Sequence, residues 1–179
     1  CLIKINAQGD TIWTRAYGGP GSDEGNSVQQ TKDRGYVIAG TTASFGAGGE
    51  DVFLIRTDSL GDTIWTRTFG GDGMDEGHSV QQTTDGGYII TRLTTSFGVG
   101  TPLFSNVYLI KTNAAGDTLW TRAFGGTRND GGYSVQQTSD SGYIIAGGFE
   151  PDSITLYSYY LVKTDAHGDT LWTRTYDEK

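Results

Sequence analysis

Short apolar runs bounded by Gly, Asp, Asn and Ser recur along the chain, and no helix-length amphipathic run interrupts them. Val37-Ile38-Ala39 and Phe53-Leu54-Ile55 are apolar on consecutive residues, the pattern of strands covered on both faces. Ser27 to Thr31, Tyr36 to Thr41, Phe53 to Thr57 and Thr63 to Arg67 therefore predict four strands within about 50 residues, separated by turn-forming clusters.

The same phrase returns down the chain. GDTIW or GDTLW begins at Gly9, Gly61, Gly116 and Gly168, with spacings of 52, 55 and 52 residues. Each copy follows an aliphatic strand (Leu2 to Ile5, Phe53 to Thr57, Tyr108 to Thr112, Tyr160 to Thr164). The first three lead into a Gly-rich loop, then SVQQT and GYI or GYV. A period of this length is the mark of a repeat architecture. The chain divides into a half unit at 1–19 and repeats at about 20–71, 72–126 and 127–179. The three extra residues of the longer spacing fall between Tyr88 and Leu109, in a loop, where backbone lengthens at little cost.

Two kinds of tight hairpin are expected in each unit. One carries T-x-D-x-G-Y, starting at Thr31, Thr83 and Thr138, so that Asp33, Asp85 and Asp140 accept bonds from the turn's own N–H groups while the Gly supplies φ > 0. The other opens with Asn6, Asp58, Asn113 or Asp165 and closes on Gly9, Gly61, Gly116 or Gly168, the form of a type I turn followed by a left-handed residue.

These motifs resemble the Asp-box hairpins of several β-propeller families. In order they also resemble repeats of secreted bacterial and archaeal proteins reading FGG, SVQQT-x-DGGYI-AG, S-FG-G, D-YLIK-D and GD-W, in the size range of kelch and WD40 blades. The resemblance runs over the whole chain and departs at Thr91-Arg92, where Ala-Gly is expected, and around Gly148 to Tyr159, where the SFG loop is lost. It implies an all-β, β-propeller-like array of four-stranded antiparallel blades, three full repeats plus a half repeat, with an extracellular or cell-surface address. It implies no reaction. The small and polar residues of SVQQT suit the innermost strand.

Trp13, Trp65, Trp120 and Trp172 hold one place in the unit and are expected to be buried anchors, each followed two residues later by an Arg that stacks on the ring or reaches an Asp of a neighbouring turn. Seven hairpins make three and a half blades, fewer than propellers close with, so two apolar end faces are expected to lack cover. The expected partner is protein, as self-association or neighbouring repeats, in a ring or a filament.

Glycine at 28 of 179 residues with 12% aromatics fits short strands and turns rather than disorder, and a net charge of −8 argues against nucleic acid. No apolar stretch is long enough for a transmembrane helix. Cys1 is the sole cysteine, so no internal disulfide forms; it sits in register with Phe53, Tyr108 and Tyr160, which favours a truncated or processed fragment over a lipid anchor.

Candidate chemistry is sparse, and no catalytic residue or cofactor site is assigned. Loop carboxylates at Asp23, Asp72, Asp75, Glu76 and Asp130 are weak calcium candidates as hard oxygen ligands, but capping of their own backbone explains the recurrence equally well. Neighbouring acids such as Asp75 and Glu76 point apart, against a glycosidase pair, and His78 and His167 occupy unrelated repeat positions. Phe149, Tyr157, Tyr159 and Tyr160 form the one irregular aromatic cluster, read either as a carbohydrate- or protein-binding rim or as a repacked loop. The expected function is a noncatalytic structural or adhesive interaction module; the alternative is a glycan-binding lectin or carbohydrate-active enzyme using loops on one face.

Overall fold

The computed structural model describes residues 1–150 and 158–176. The described residues form strands and turns without a helix. A hairpin, β1 (Leu2–Ile5) and β2 (Thr11–Arg15), comes first. Three four-stranded meanders follow: β3 (Asp23–Gln30), β4 (Tyr36–Thr42), β5 (Asp51–Thr57) and β6 (Thr63–Phe69); β7 (Asp75–Gln82), β8 (Tyr88–Thr94), β9 (Asn106–Thr112) and β10 (Thr118–Phe124); β11 (Asp130–Gln137), β12 (Tyr143–Phe149), β13 (Ser158–Thr164) and β14 (Thr170–Tyr176). All neighbours are antiparallel, and β1–β2 repeats the last two strands of the unit.

Both hairpins form as the turn chemistry requires, with one correction. In the second kind, Gly9, Gly61, Gly116 and Gly168 take φ of +80 to +89°, the left-handed position expected of them. In T-x-D-x-G the left-handed residue is instead the one before the Gly: Arg34 at φ 70°, Gly86 at 84° and Ser141 at 66°. The invariant Gly serves close approach. A Cβ on Gly87 would stand 2.1 Å from the Thr112 carbonyl oxygen and 2.7 Å from Lys111 Nζ.

The sheets stack face to face in chain order. The face of one sheet that looks toward the next (its forward face) carries Val37, Ala39, Val52 and Leu54; it buries them against the rear face of the next, Val80, Tyr88, Ile90, Tyr108 and Ile110. The second interface repeats this with Ile89, Val107 and Leu109 against Val135, Tyr143, Ile145, Tyr160 and Val162. Consecutive apolar residues thus serve two interfaces at once, as their pattern predicts. The first strands of the units adjoin through side chains: Val80 N–H donates to Ser27 Oγ (3.3 Å) and Gln82 N–H to Gln29 Oε1 (2.6 Å), and Val135 and Gln137 do the same to Ser79 and Gln81.

The stack is open. β1–β2 packs on part of the rear face of β3–β6 through Leu2 and Tyr17, and among the described residues nothing covers the forward face of β11–β14. The tryptophans are half-buried on the outer strand rather than fully inside, and Trp172, with no sheet after it, is 40% exposed.

Candidate functional site

The recurring GDT(I/L)W segment is an inter-unit clasp. Trp13, Trp65 and Trp120 each lean on the turn of the following unit: a Cβ on Gly116 would stand 2.8 Å from the Trp65 ring, and one on Gly168 2.7 Å from Trp120. The ring also meets the next unit's Tyr edge-on, Trp65 with Tyr88 at 5.8 Å and Trp120 with Tyr143 at 5.7 Å between centroids. The accompanying Arg does both things expected of it. Arg67 lies 5.3 Å from the Trp65 ring centroid and reaches Asp117 at 3.3 Å; Arg122 lies 5.5 Å from Trp120 and reaches Asp169 at 3.1 Å. Tryptophan and arginine of one unit therefore hold glycine and aspartate of the next.

The second cluster is the T-x-D-x-G turn. Asp85 accepts from the Thr83 hydroxyl, from Gly87 N–H at 3.0 Å and from Lys111 Nζ at 2.9 Å. Burial pushes its carboxyl up, but those three donors outweigh burial and hold it at about 2. Asp33 with Arg56 and Asp140 with Lys163 repeat the arrangement. The Asp33 and Asp140 carboxyls are lowered first by the hydroxyls of Thr31 and Thr138. Each Asp thus ties its turn to the buried cation of the third strand in the same sheet.

The loop carboxylates cap their own loops. Asp23 accepts from Gly19 N–H (2.8 Å), Ser44 Oγ (2.7 Å) and the Thr42 hydroxyl; Asp75 from Gly71 N–H (2.9 Å) and Ser96 Oγ (2.6 Å); Asp130 from Gly126 N–H (2.7 Å). Glu76 pairs with Arg92 at 3.2 Å, and Asp72 is exposed on its loop. Among the described residues no group of three or more His, Cys, Asp or Glu side chains stands together as a metal site would require. His78 lines a narrow polar cleft of about 110 Å³ with Glu24, Glu50 and Glu76, and burial lowers its imidazole pKa. His167 lies in the turn before β14.

The aromatic cluster divides. Phe149 and Tyr160 face each other at 5.6 Å between ring centroids, on the second sheet interface. Tyr159 points to the opposite face and is 67% exposed, as alternation along a strand dictates. Tyr157 lies outside the described residues.

Arg92 carries a contact that the repeat pattern does not announce. Besides Glu76, its guanidinium lies 4.6 Å from the ring centroid of Tyr133 on β11, so the departure at Thr91-Arg92 links the second sheet to the third.

Strand order, stacking and clasps together define an all-β tandem-repeat protein of four-stranded antiparallel sheets. No protein-family model matches the chain. It is 28% identical over 181 aligned positions to the regulatory protein FlaEY of Caulobacter vibrioides, an alignment taking in 90% of this chain and 18% of that protein. The chain thus spans less than a fifth of the length of that relative. No helix among the described residues is long and apolar enough to cross a membrane.

Proposed function

We propose that the chain is a noncatalytic segment of an extracellular or cell-surface β-propeller, acting as a structural or adhesive interaction module. One observation carries this reading: the last forward face is built like the two before it, and no other described residue covers it. Ile144, Tyr159, Leu161, Trp172 and Tyr176 occupy the places of Val37, Val52, Leu54, Trp65 and Phe69. In the first two sheets the central residues of this face are fully buried, whereas Tyr159, Trp172 and Tyr176 are exposed. A contiguous apolar face of this kind marks an interaction surface. It fits another sheet of the same kind, and a second copy of the chain carries one. The similarity to part of a regulatory protein suits a binding module, and the sequence resemblance supports the propeller and its address.

Light scattering across a concentration series tests the reading. The mass should rise above 19.2 kDa by ~100 µM, where an association worth about −5.5 kcal/mol is half complete, and Tyr159→Lys should abolish the rise. A mass that stays monomeric throughout sinks it. The exposed Tyr159, Trp172 and Tyr176 also give the glycan-binding alternative an aromatic platform, and specific signal on a glycan array that is lost in Trp172→Ala would favour that reading instead.

A further inference from the structure

The polar cleft of about 110 Å³ lies between the first and second sheets, with Glu24, Asn26 and Glu50 of the first and Glu76 and His78 of the second among its walls. Its counterpart between the second and third sheets is filled by the chain itself. Strand register places Arg92 where Gly40 stands in the first sheet, Gly131 where Glu76 stands and Tyr133 where His78 stands. The Arg92 guanidinium donates to Glu76 at 3.2 Å and lies 4.6 Å from the Tyr133 ring centroid, and a Cβ on Gly131 would stand 3.5 Å from its Nη1. It therefore occupies the space between the residues equivalent to Glu24, Glu76 and His78.

The first cleft repeats the carboxylate and the aromatic plane of the second and supplies no cation of its own. Glu24 takes the part of Glu76, and the His78 imidazole that of the Tyr133 ring. Glu50 and Glu76 add carboxylates where the second interface has Ser105 and Gly131. Among the described residues no ion pair joins Glu24 or Glu50 to a Lys or Arg, and Glu76 meets Arg92 through Oε2 alone. Asn26 donates its amide to the Gly77 carbonyl at 3.0 Å, which leaves its side-chain oxygen as a further acceptor. Burial, and then the Arg92 charge, lower the His78 imidazole pKa, so the ring is neutral at pH 7 and offers a cation its face without repulsion.

We propose that this cleft binds the guanidinium of an arginine side chain from a protein partner, stacked on His78 and paired with Glu24, Glu50 and Glu76. A group of acids alone would not select that ligand; the equivalent place in the next interface does, because the chain itself builds a guanidinium into it. A metal ion needs acidic or imidazole ligands converging on one point, and among the described residues no three do so. The flat guanidinium carries five N–H donors in a fork, so it reaches acceptors spread around a slot while stacking on a ring. An ammonium is a compact, strongly hydrated charge and does neither. Free arginine fits less well than an arginine within a protein, because its own carboxylate would be repelled by the three glutamates. The cleft shares no residue with the forward face of β11–β14, so binding here and self-association there succeed or fail separately.

The probe is N-acetyl-arginine amide, titrated into the full chain and followed by proton NMR and calorimetry. His78 and His167 are the two histidines, so their imidazole resonances give a reporter at the site and an internal control. The His78 resonances should shift saturably while those of His167 stay in place. N-acetyl-citrulline amide, which has nearly the same shape without the charge, should not bind, and blocked lysine and free arginine should bind more weakly than blocked arginine. Glu24→Gln should weaken binding about tenfold, the scale of a charge-assisted hydrogen bond, and His78→Tyr, which installs the ring of the second interface, should retain it. Glu24 is exposed, so its replacement leaves the fold intact, and the melting curve of the free protein checks this. No shift at His78, equal binding of the citrulline or lysine compound, tighter binding of free arginine, indifference to Glu24→Gln, or loss of binding in His78→Tyr overturns the proposal.

Discussion

Two adjacent glycines in the second T-x-D-x-G turn should respond very differently to the same substitution. Gly86 lies at φ +84°, and a Cβ added there has only the Ala114 Cβ within 4 Å, at 3.9 Å. Arg34 and Ser141 accept the same backbone conformation in the sister turns, so Gly86→Ala should destabilise by about 1 kcal/mol, the ordinary strain of a left-handed residue. Gly87 has an ordinary φ, but its added Cβ would meet the Thr112 carbonyl oxygen at 2.1 Å and Lys111 Nζ at 2.7 Å. Thr112 belongs to β9, which is pinned by ladders to β8 and β10, so the carbonyl cannot retreat by the ångström required. The shift would also loosen the pair between Lys111 and Asp85. Gly87→Ala should therefore lose about 3 kcal/mol or more. In a chain of this size that separates the two variants as about 3 °C against about 9 °C in melting temperature. Parallel urea and thermal unfolding of both variants measures it, and a loss at Gly86 equal to or greater than that at Gly87 would refute the close-approach argument.

Asp51 offers a pH test. Burial pushes its carboxyl up, only partly offset by the Ala47 N–H, and the nearby Asp75 charge raises it further; a Cβ on Gly70 would lie 2.0 Å from Asp51 Oδ1 and 2.7 Å from Asp75 Oδ2, which places the two acids side by side. A raised carboxyl favours folding at low pH and loses that contribution as pH rises through its folded pKa. Asp51→Asn, which copies Asn106 in the next unit, should therefore raise the melting temperature at pH 7, with the gain fading as pH falls toward 3.8; a gain independent of pH would count against the pair. For the clasp, Trp65→Ala should lose about 2 kcal/mol because its ring is held between Tyr88 and Gly116, whereas Trp172→Ala should lose less than about 1 kcal/mol in the monomer. Equal losses on chemical denaturation would mean that the contact with the following unit contributes nothing.

What was legible in the sequence is what repeats or is local. The four strands and the hairpins follow from apolar runs, turn residues and a fixed period, whereas for Asp23, Asp75 and Asp130 the sequence leaves self-capping and calcium as alternatives. The role of Gly35, Gly87 and Gly142 was not, because their constraint comes from a cation and a carbonyl on the third strand, more than 20 residues further on. The clasp was half legible: the Arg could be paired with some neighbouring Asp, but its assignment to the next unit's GDT needs the stacking direction.

Departures from the repeat are the most instructive case, because they are paired across an interface. Thr91-Arg92 replaces Ala39-Gly40, which alone looks like a defect in the second unit. In the facing strand of the third unit, Gly131 replaces the Glu of Asp23-Glu24 and Asp75-Glu76, and Tyr133 replaces Asn26 and His78. A Cβ on Gly131 would stand 3.5 Å from Arg92 Nη1, and the Tyr133 ring lies beneath the guanidinium. The bulky cation introduced in one unit thus meets a glycine and an aromatic plane introduced in the next, and Glu76 within its own sheet balances its charge. The spacing of 41 residues between Arg92 and Tyr133 has no place in the period, so a search for repeats discards both as noise. Read together across the stack, they form a contact private to the second and third sheets. That contact gives the interface between the second and third sheets a cation–aromatic pair that the interface between the first and second lacks.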